Sequence, residues 1–427
     1  MGRQHLAKVQ LFQEWFLKKH SLDLFLPWKP EAVEDGEEFG IELRADEHGG
    51  TGVYARHRLQ PGEVLAQIPT SALLYSARAR QALPASCATL PLTEEEFLWL
   101  YMIWGREDPQ YEWHPYLQLL PAQDPLRWLW DPCAQRWLAG TPIDAKEVLA
   151  EQRRRHEEVS RLLGDQAVSW EQWLWARGCY LSRSFDQAAF PRSDSWGSAA
   201  MCPLLDSMNH SAHAEVEARY DIDFAGLWLP DTGSYEAGEE VFHLYKGNAD
   251  NATLLQNYGF SLMDNPFDCV EELELPEAKL QLAEALTMDT QEAPEELLML
   301  CAEAKGRQYQ ADEASCRHKA KVCKWALKPL RQMLSRMQEF PAGCAVLLNL
   351  RGTLGRFAGR EAKRRAKARR PKAAALLLPF SGPARDAAIF ALGRFRILRR
   401  AAAAVQESAE MAILAARMEQ RQAQTAE

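Results

Sequence analysis

Two stretches decide how this chain reads: Pro203-Leu204-Leu205-Asp206-Ser207-Met208-Asn209-His210-Ser211, and further on Tyr245-Lys246-Gly247-Asn248-Ala249-Asp250-Asn251-Ala252-Thr253-Leu254-Leu255-Gln256-Asn257-Tyr258-Gly259-Phe260. In the first, an apolar run ends in a carboxylate, an amide, an imidazole and a hydroxyl. Alone, it reads as a polar turn after a buried strand, with Asn209 and His210 satisfying nearby backbone groups. In the second, two tyrosines flank a Gly/Asn-rich turn and a short helix, after a strand over Glu240–Tyr245. A single tyrosine is usually a core or rim residue. The ordered pair is the less common arrangement.

Outward from these stretches the texture changes along the chain. Residues 1–35 read as a helix and linker. Gly49-Gly50-Thr51-Gly52 followed by Val53-Tyr54-Ala55, then Val64-Leu65-Ala66-Gln67-Ile68-Pro69, read as turn and strand. Residues 77–181 turn helical and Trp-rich, and Thr93-Glu94-Glu95-Glu96 has the form of a capped helix start. Their tryptophans, at helical spacing, predict core packing rather than an aromatic cage. Strand character returns between Met201 and Glu274, including Gly226-Leu227-Trp228-Leu229. Residues 275–427 read as helical throughout, with one long helix over Glu313–Met337 and one or two Ala-rich helices over Ala387–Met418. A strand module split by a helical insert is an α+β plan, not alternating βαβ units. The Gly-rich turn leads into a strand rather than a helix, which argues against a Rossmann cofactor site.

Together, GGTGVYA at 49–55, EWHPYLQLLP at 112–121, SRSF at 182–185, LLDSMNHS at 204–211 and the Tyr245–Tyr258 block resemble the SET-domain protein lysine methyltransferases of the Rubisco large-subunit methyltransferase-like family. The match is good over about residues 1–270. The resemblance implies a SET domain at 36–270, with small β-sheets around a cofactor cleft and a helical insert at about 77–181. It also implies an all-helical C-terminal substrate-binding domain at 271–427 that carries the basic segment 356–372. The implied reaction is methyl transfer from S-adenosyl-L-methionine to a lysine of a non-histone protein, releasing S-adenosyl-L-homocysteine.

By the same resemblance, Gly49, Gly50 and Thr51 hold the methionine end of the cofactor, where glycine permits close main-chain approach. Asn209 and His210 hold it near the adenine. Arg183 contacts its carboxylate and borders the lysine channel. Carbonyls near Ser182 and Asp206 orient the amine, Tyr245 is the catalytic tyrosine, and Tyr258 lines the same pocket. Lys246 stands where the family usually has Gly or Asp. Histidine-methylating relatives on actin carry a polar amide near position 185, so Phe185 points to lysine.

The chain has 427 residues, 47% hydrophobic and 26% charged, with net charge -9, values of an ordinary globular protein. That balance argues against a protein that coats nucleic acid, although GREAKRRAKARRP at 359–371 is a basic run readable as a solvated face or loop, a nuclear localisation signal or a nucleic-acid contact. The dispersed cysteines, nine in number, lack CxxC and zinc-finger spacing and read as reduced thiols. No apolar run reaches the ~20 residues of a membrane span, and the N-terminus lacks a signal-peptide pattern. These features predict a monomeric intracellular protein, cytoplasmic first, with nucleus or plastid left open. Two alternatives stand beside the leading one: a histidine methyltransferase of the same fold, and a catalytically inactive SET-like adaptor.

Overall fold

The structure, a computed structural model, describes residues 2–20, 40–45, 50–139, 141–186, 199–214, 216–220, 224–230, 233–262, 265–275, 278–283, 295–303, 305, 310, 315–336 and 382–426. Gly49 and the basic segment 356–372 lie outside them. The chain divides into two compact units: residues 1–127 with 149–248, and residues 128–148 with 249–427.

In the first unit, short antiparallel strands form three small sheets. β1 (Ile41–Ala45) pairs with β2 (Thr51–Ala55). β3 (Val64–Pro69), β7 (Glu217–Tyr220) and β8 (Phe224–Trp228) form a second sheet in the order β3-β8-β7. β4 (Leu74–Tyr75), β5 (Ser184–Asp186) and β6 (Ala199–Met201) form a third, in the order β4-β6-β5. The strand expected over Glu240–Tyr245 is not a regular strand. Its residues contribute isolated bridges, Glu240 to Tyr54 and His243 to both His210 and Val216. This segment threads between two others, so its backbone pairs on each side through single residues: Val241 N–H donates to Val53 O at 2.7 Å and His243 N–H to Asn209 O at 2.9 Å.

One helix of this unit starts at the cap that the sequence marks. Thr93 caps Glu94–Glu107 as a capping box with Glu96, and Glu96 then pairs with Arg155 at 2.6 Å. Ser169 and Gln172 cap Trp170–Arg183 in the same way. Trp113 and Trp173 are among the largest fully buried side chains. Trp99 meets Trp173 edge-on at 5.0 Å, so these rings serve as core. The N-terminal helix Gly2–His20 buries Val9, Phe12 and Phe16, with Phe12 6.2 Å from the Tyr116 ring.

The second unit is helical around one apolar cluster. Val322, Cys323, Ala326 and Leu330 of helix Cys316–Arg336 pack with Ile397, Leu398, Ala401 and Val405 of helix Pro383–Ala426. The Ala-rich tail is thus one helix of 44 residues. Residues 128–148 of the expected insert belong to this unit, with helix Pro132–Leu138 against the long helix. The C-terminal region is not all helical: β9 (Cys269–Leu275) and β10 (Ala278–Ala283) form an antiparallel hairpin at its start. Among the described residues, no helix is long and apolar enough to cross a membrane.

Candidate functional site

The threaded segment joins elements of the first unit that carry expected site residues. β2 carries Thr51, the 209–211 stretch carries Asn209 and His210, and the 238–245 stretch, bonded to both, ends at Tyr245. The Tyr245 hydroxyl donates to Met208 O at 2.8 Å, and its backbone N–H donates to His210 Nδ1 at 3.3 Å. The two rings lie 5.2 Å apart. Burial lowers the His210 pKa. Burial, and then the neighbouring His210, lower that of His243 to about 4. Both imidazoles are therefore neutral near pH 7.

Asp206 lies in a 3-10 turn, Leu205–Ser207, entered through Leu204 at φ 78°, the sole non-glycine with positive φ among the described residues. Such a conformation costs about 1–3 kcal/mol and persists only where the surroundings enforce it. The Asp206 carboxylate is buried. Tyr116 donates to its Oδ2 at 2.5 Å, and Arg183 stands 3.8 Å from the same oxygen. Arg183 Nη1 also donates to the Asp206 backbone oxygen at 2.6 Å. Burial pushes the Asp206 carboxyl up to about 6 against the pull of Arg183 and Tyr116. The Tyr116 hydroxyl is itself raised well above its usual range, by burial and then by Asp206.

Arg183 and Ser182 close helix Trp170–Arg183, and Ser182 Oγ turns back onto its own helix at Gly178 O, 2.8 Å. Thr51 Oγ1 is 2.9 Å from His5 Nε2. Tyr258 belongs to the second unit, at the end of helix Asn251–Tyr258, which Asp250 caps and Gly259 terminates at φ 81°. Burial raises the Tyr258 pKa.

Sequence reasoning gave no role to Tyr116, Glu240, Gly52 or His5. Tyr116 sits inside the quoted EWHPYLQLLP motif, which was the available signal. Gly52 sits inside GGTGVYA. A Cβ there would lie 2.7 Å from Glu240 Oε1 and 3.4 Å from Asn209 Nδ2, while Asn209 Nδ2 donates to Glu240 Oε1 at 2.6 Å. Glycine thus keeps a cradle open beside an exposed amide and a carboxylate. Such a donor and acceptor pair fits the polar edges of a nucleoside cofactor.

This arrangement of small sheets, with one segment threaded between two others and ending in a tyrosine, is the fold of a SET domain. The structure described as Rubisco LSMT bound to AdoMet matches with a TM-score of 0.60 at 16% identity, covering 95% of this chain and 93% of that one. Among sequences, SET domain-containing protein 4 of Homo sapiens is 24% identical over 246 residues, 52% of this chain and 54% of that protein. The chloroplastic Rubisco large subunit N-methyltransferase of Pisum sativum is 25% identical over 272 residues, 59% and 51% of the two chains. Actin-histidine N-methyltransferase of Rhinolophus ferrumequinum is 22% identical over 250 residues, 54% and 41%. The chain spans about half the length of these curated relatives. No family model matches it.

Proposed function

We propose that this chain is an S-adenosylmethionine-dependent protein lysine N-methyltransferase acting on a non-histone protein. The observation that carries the reading is the meeting of Tyr245, Met208, His210, Asp206 and Arg183 in one unit, with two carbonyls and one hydroxyl held in place. S-adenosylmethionine, when bound, supplies an electrophilic methyl on a sulfonium and leaves as neutral S-adenosylhomocysteine. Asn209 and His210 would hold its nucleoside end, and Thr51 and Arg183 its amino-acid end. The neutral imidazoles place no extra positive charge beside the sulfonium.

Lysine is the harder partner, since at its usual pKa of ~10.4 under ~1% is neutral near pH 7. A dry channel disfavours the ammonium, so its proton passes to solvent before transfer. The neutral amine then needs alignment rather than a strong base. Because Tyr245 commits its proton to Met208 O, its oxygen is left to accept an amine N–H. The Asp206 carbonyl has a second lone pair beyond the one Arg183 occupies. Positioning of this kind is the main catalytic contribution open to such a site.

Titration calorimetry with S-adenosylmethionine and S-adenosylhomocysteine tests the reading. Saturable heat with both is expected. Absence of heat, together with no thermal shift, would leave the inactive-adaptor reading in its place.

A further inference from the structure

Helix Cys316–Arg336 separates its residues by face. Ala320, Val322, Cys323, Ala326, Leu327 and Leu330 are buried. On the other side Arg317, Lys321, Lys324, Lys328 and Arg331 are all exposed. Alternating spacings of four and three put these cations in a single row, about 21 Å long at 1.5 Å per residue. Arg417, on helix Pro383–Ala426, lines the same groove as Arg317, Lys321 and Lys324.

Among the described residues of the unit, little neutralises the row. Arg317 donates to Gln420 Oε1 at 3.3 Å, and Arg331 to Gln406 Oε1 at 2.9 Å, both neutral amides. Gln406 in turn donates to Glu410 at 2.7 Å, and Glu419 accepts from Cys316 Sγ at 3.2 Å. Lys321 lies 5.4 Å from the Trp325 ring. Among the described residues, no ion pair joins Lys321, Lys324 or Lys328 to a carboxylate. Like charges at this spacing repel by about 0.2–0.5 kcal/mol per pair, so the row weakens the isolated helix.

Two open grooves run beside it. One, of about 540 Å³, passes Lys324, Lys328 and Arg331 over Leu327. The other, of about 260 Å³, has Ala320, Ile413 and Ala416 in its floor. Cations on the walls with aliphatic groups beneath suit carboxylates interleaved with aliphatic side chains. Nucleic acid would use the cations but has no aliphatic groups for the floor, and it gains most from stacked aromatics. Among the described residues, the row shows one ring contact, Lys321 beside Trp325.

We propose that this row and its grooves are a docking site for an acidic, amphipathic protein segment. That the segment belongs to the methyl acceptor rests on the function proposed above; the docking itself does not. The probe is a fluorescein-labelled peptide with glutamates and leucines at alternating three- and four-residue spacing, titrated with the full chain. Its competitors are a single-stranded oligonucleotide and phosphatidylserine vesicles. The triple variant Lys321→Glu, Lys324→Glu, Lys328→Glu, with its fold checked by circular dichroism, should raise the peptide Kd at least about tenfold. Salt should weaken binding, and replacing the peptide leucines by serine should weaken it further. Unchanged affinity in the variant, or tighter binding of the oligonucleotide or vesicles, overturns the proposal. If the peptide binds while S-adenosylmethionine gives no heat, docking stands and the methyl-transfer reading falls. If S-adenosylmethionine binds while charge reversal leaves the peptide unaffected, the opposite holds.

Discussion

Each unit buries a polar cluster, and the two are built differently. In the second unit Asn251 is fully engaged: its amide nitrogen donates to Leu262 O and Asp268 Oδ2, its Oδ1 accepts from Leu262 N–H and Asn265, and its backbone N–H donates to Asp268 Oδ1. In the first unit Asp206 is engaged at one carboxylate oxygen and not at the other. Its Oδ1 is buried and makes no hydrogen bond among the described residues, its carboxyl is pushed up to about 6, and the strained Leu204 lies just upstream. A satisfied network specifies a fold, whereas an under-satisfied one that persists at this cost marks a place kept for chemistry. We propose that the two clusters divide the work, with stability resting on the Asn251 cluster and methyl transfer on the Asp206 cluster.

The contrast can be broken most visibly at Asn251. Asn251→Ala removes one donor to Asp268 Oδ2, the acceptor of the Leu262 N–H and the donor to Leu262 O, so chemical denaturation should show a loss of about 3 kcal/mol. Asp206→Asn takes away the carboxylate that faces Arg183 at 3.8 Å, the side chain proposed above for the amino-acid end of the cofactor, so stability should fall less than in Asn251→Ala while single-turnover methyl transfer drops about a hundredfold. A large stability loss with transfer intact would erase the distinction. Next comes a pH test. His243 titrates near 4 in the folded chain against an ordinary 6.5, so its stabilising contribution is full above about 6.5 and is lost as pH falls toward 4. Asp206, raised from 3.8 to about 6, acts oppositely, since the folded state takes up its proton first as pH falls. His243→Gln removes only the histidine contribution. The Tm of that variant relative to the parent should therefore rise steadily from pH 6.5 to 4, by differential scanning fluorimetry. The smallest expected effect is at Tyr116. Tyr116→Phe removes a donor that lowers the Asp206 pKa, so the acid limb of the kcat/KM profile should move to higher pH, with a stability loss of about 1–2 kcal/mol.

What the sequence made legible follows from where its information is local. The Thr93–Glu96 capping box, the 64–69 strand and the long helix expected over Glu313–Met337 each depend on residues within a few positions; the first two appear in the structure, and the helix is described over Cys316–Arg336. The order of SRSF, LLDSMNHS and the two-tyrosine block pointed to the SET fold. The threaded course of 240–245 was hidden, because alternating apolar residues look the same in a ladder as in a segment bridged at single points. Strand character is expected as far as Glu274, which covers nearly all of β9, but β10 falls in the stretch read as helical although Leu280 and Leu282 keep a period of two. Tyr116 was read as part of a motif and given no role, because its partner Asp206 is 90 residues away and spacing says nothing about such a contact.

The most direct test of the central claim is to incubate cell extract with methyl-labelled S-adenosylmethionine and either the parent chain or Tyr245→Phe, then to map the label by mass spectrometry. The account predicts label on lysine side chains with the parent, at least about a hundredfold less with the variant, and cofactor affinity in the variant within about twofold of the parent. Label on histidine, or equal labelling by the two proteins, would contradict it.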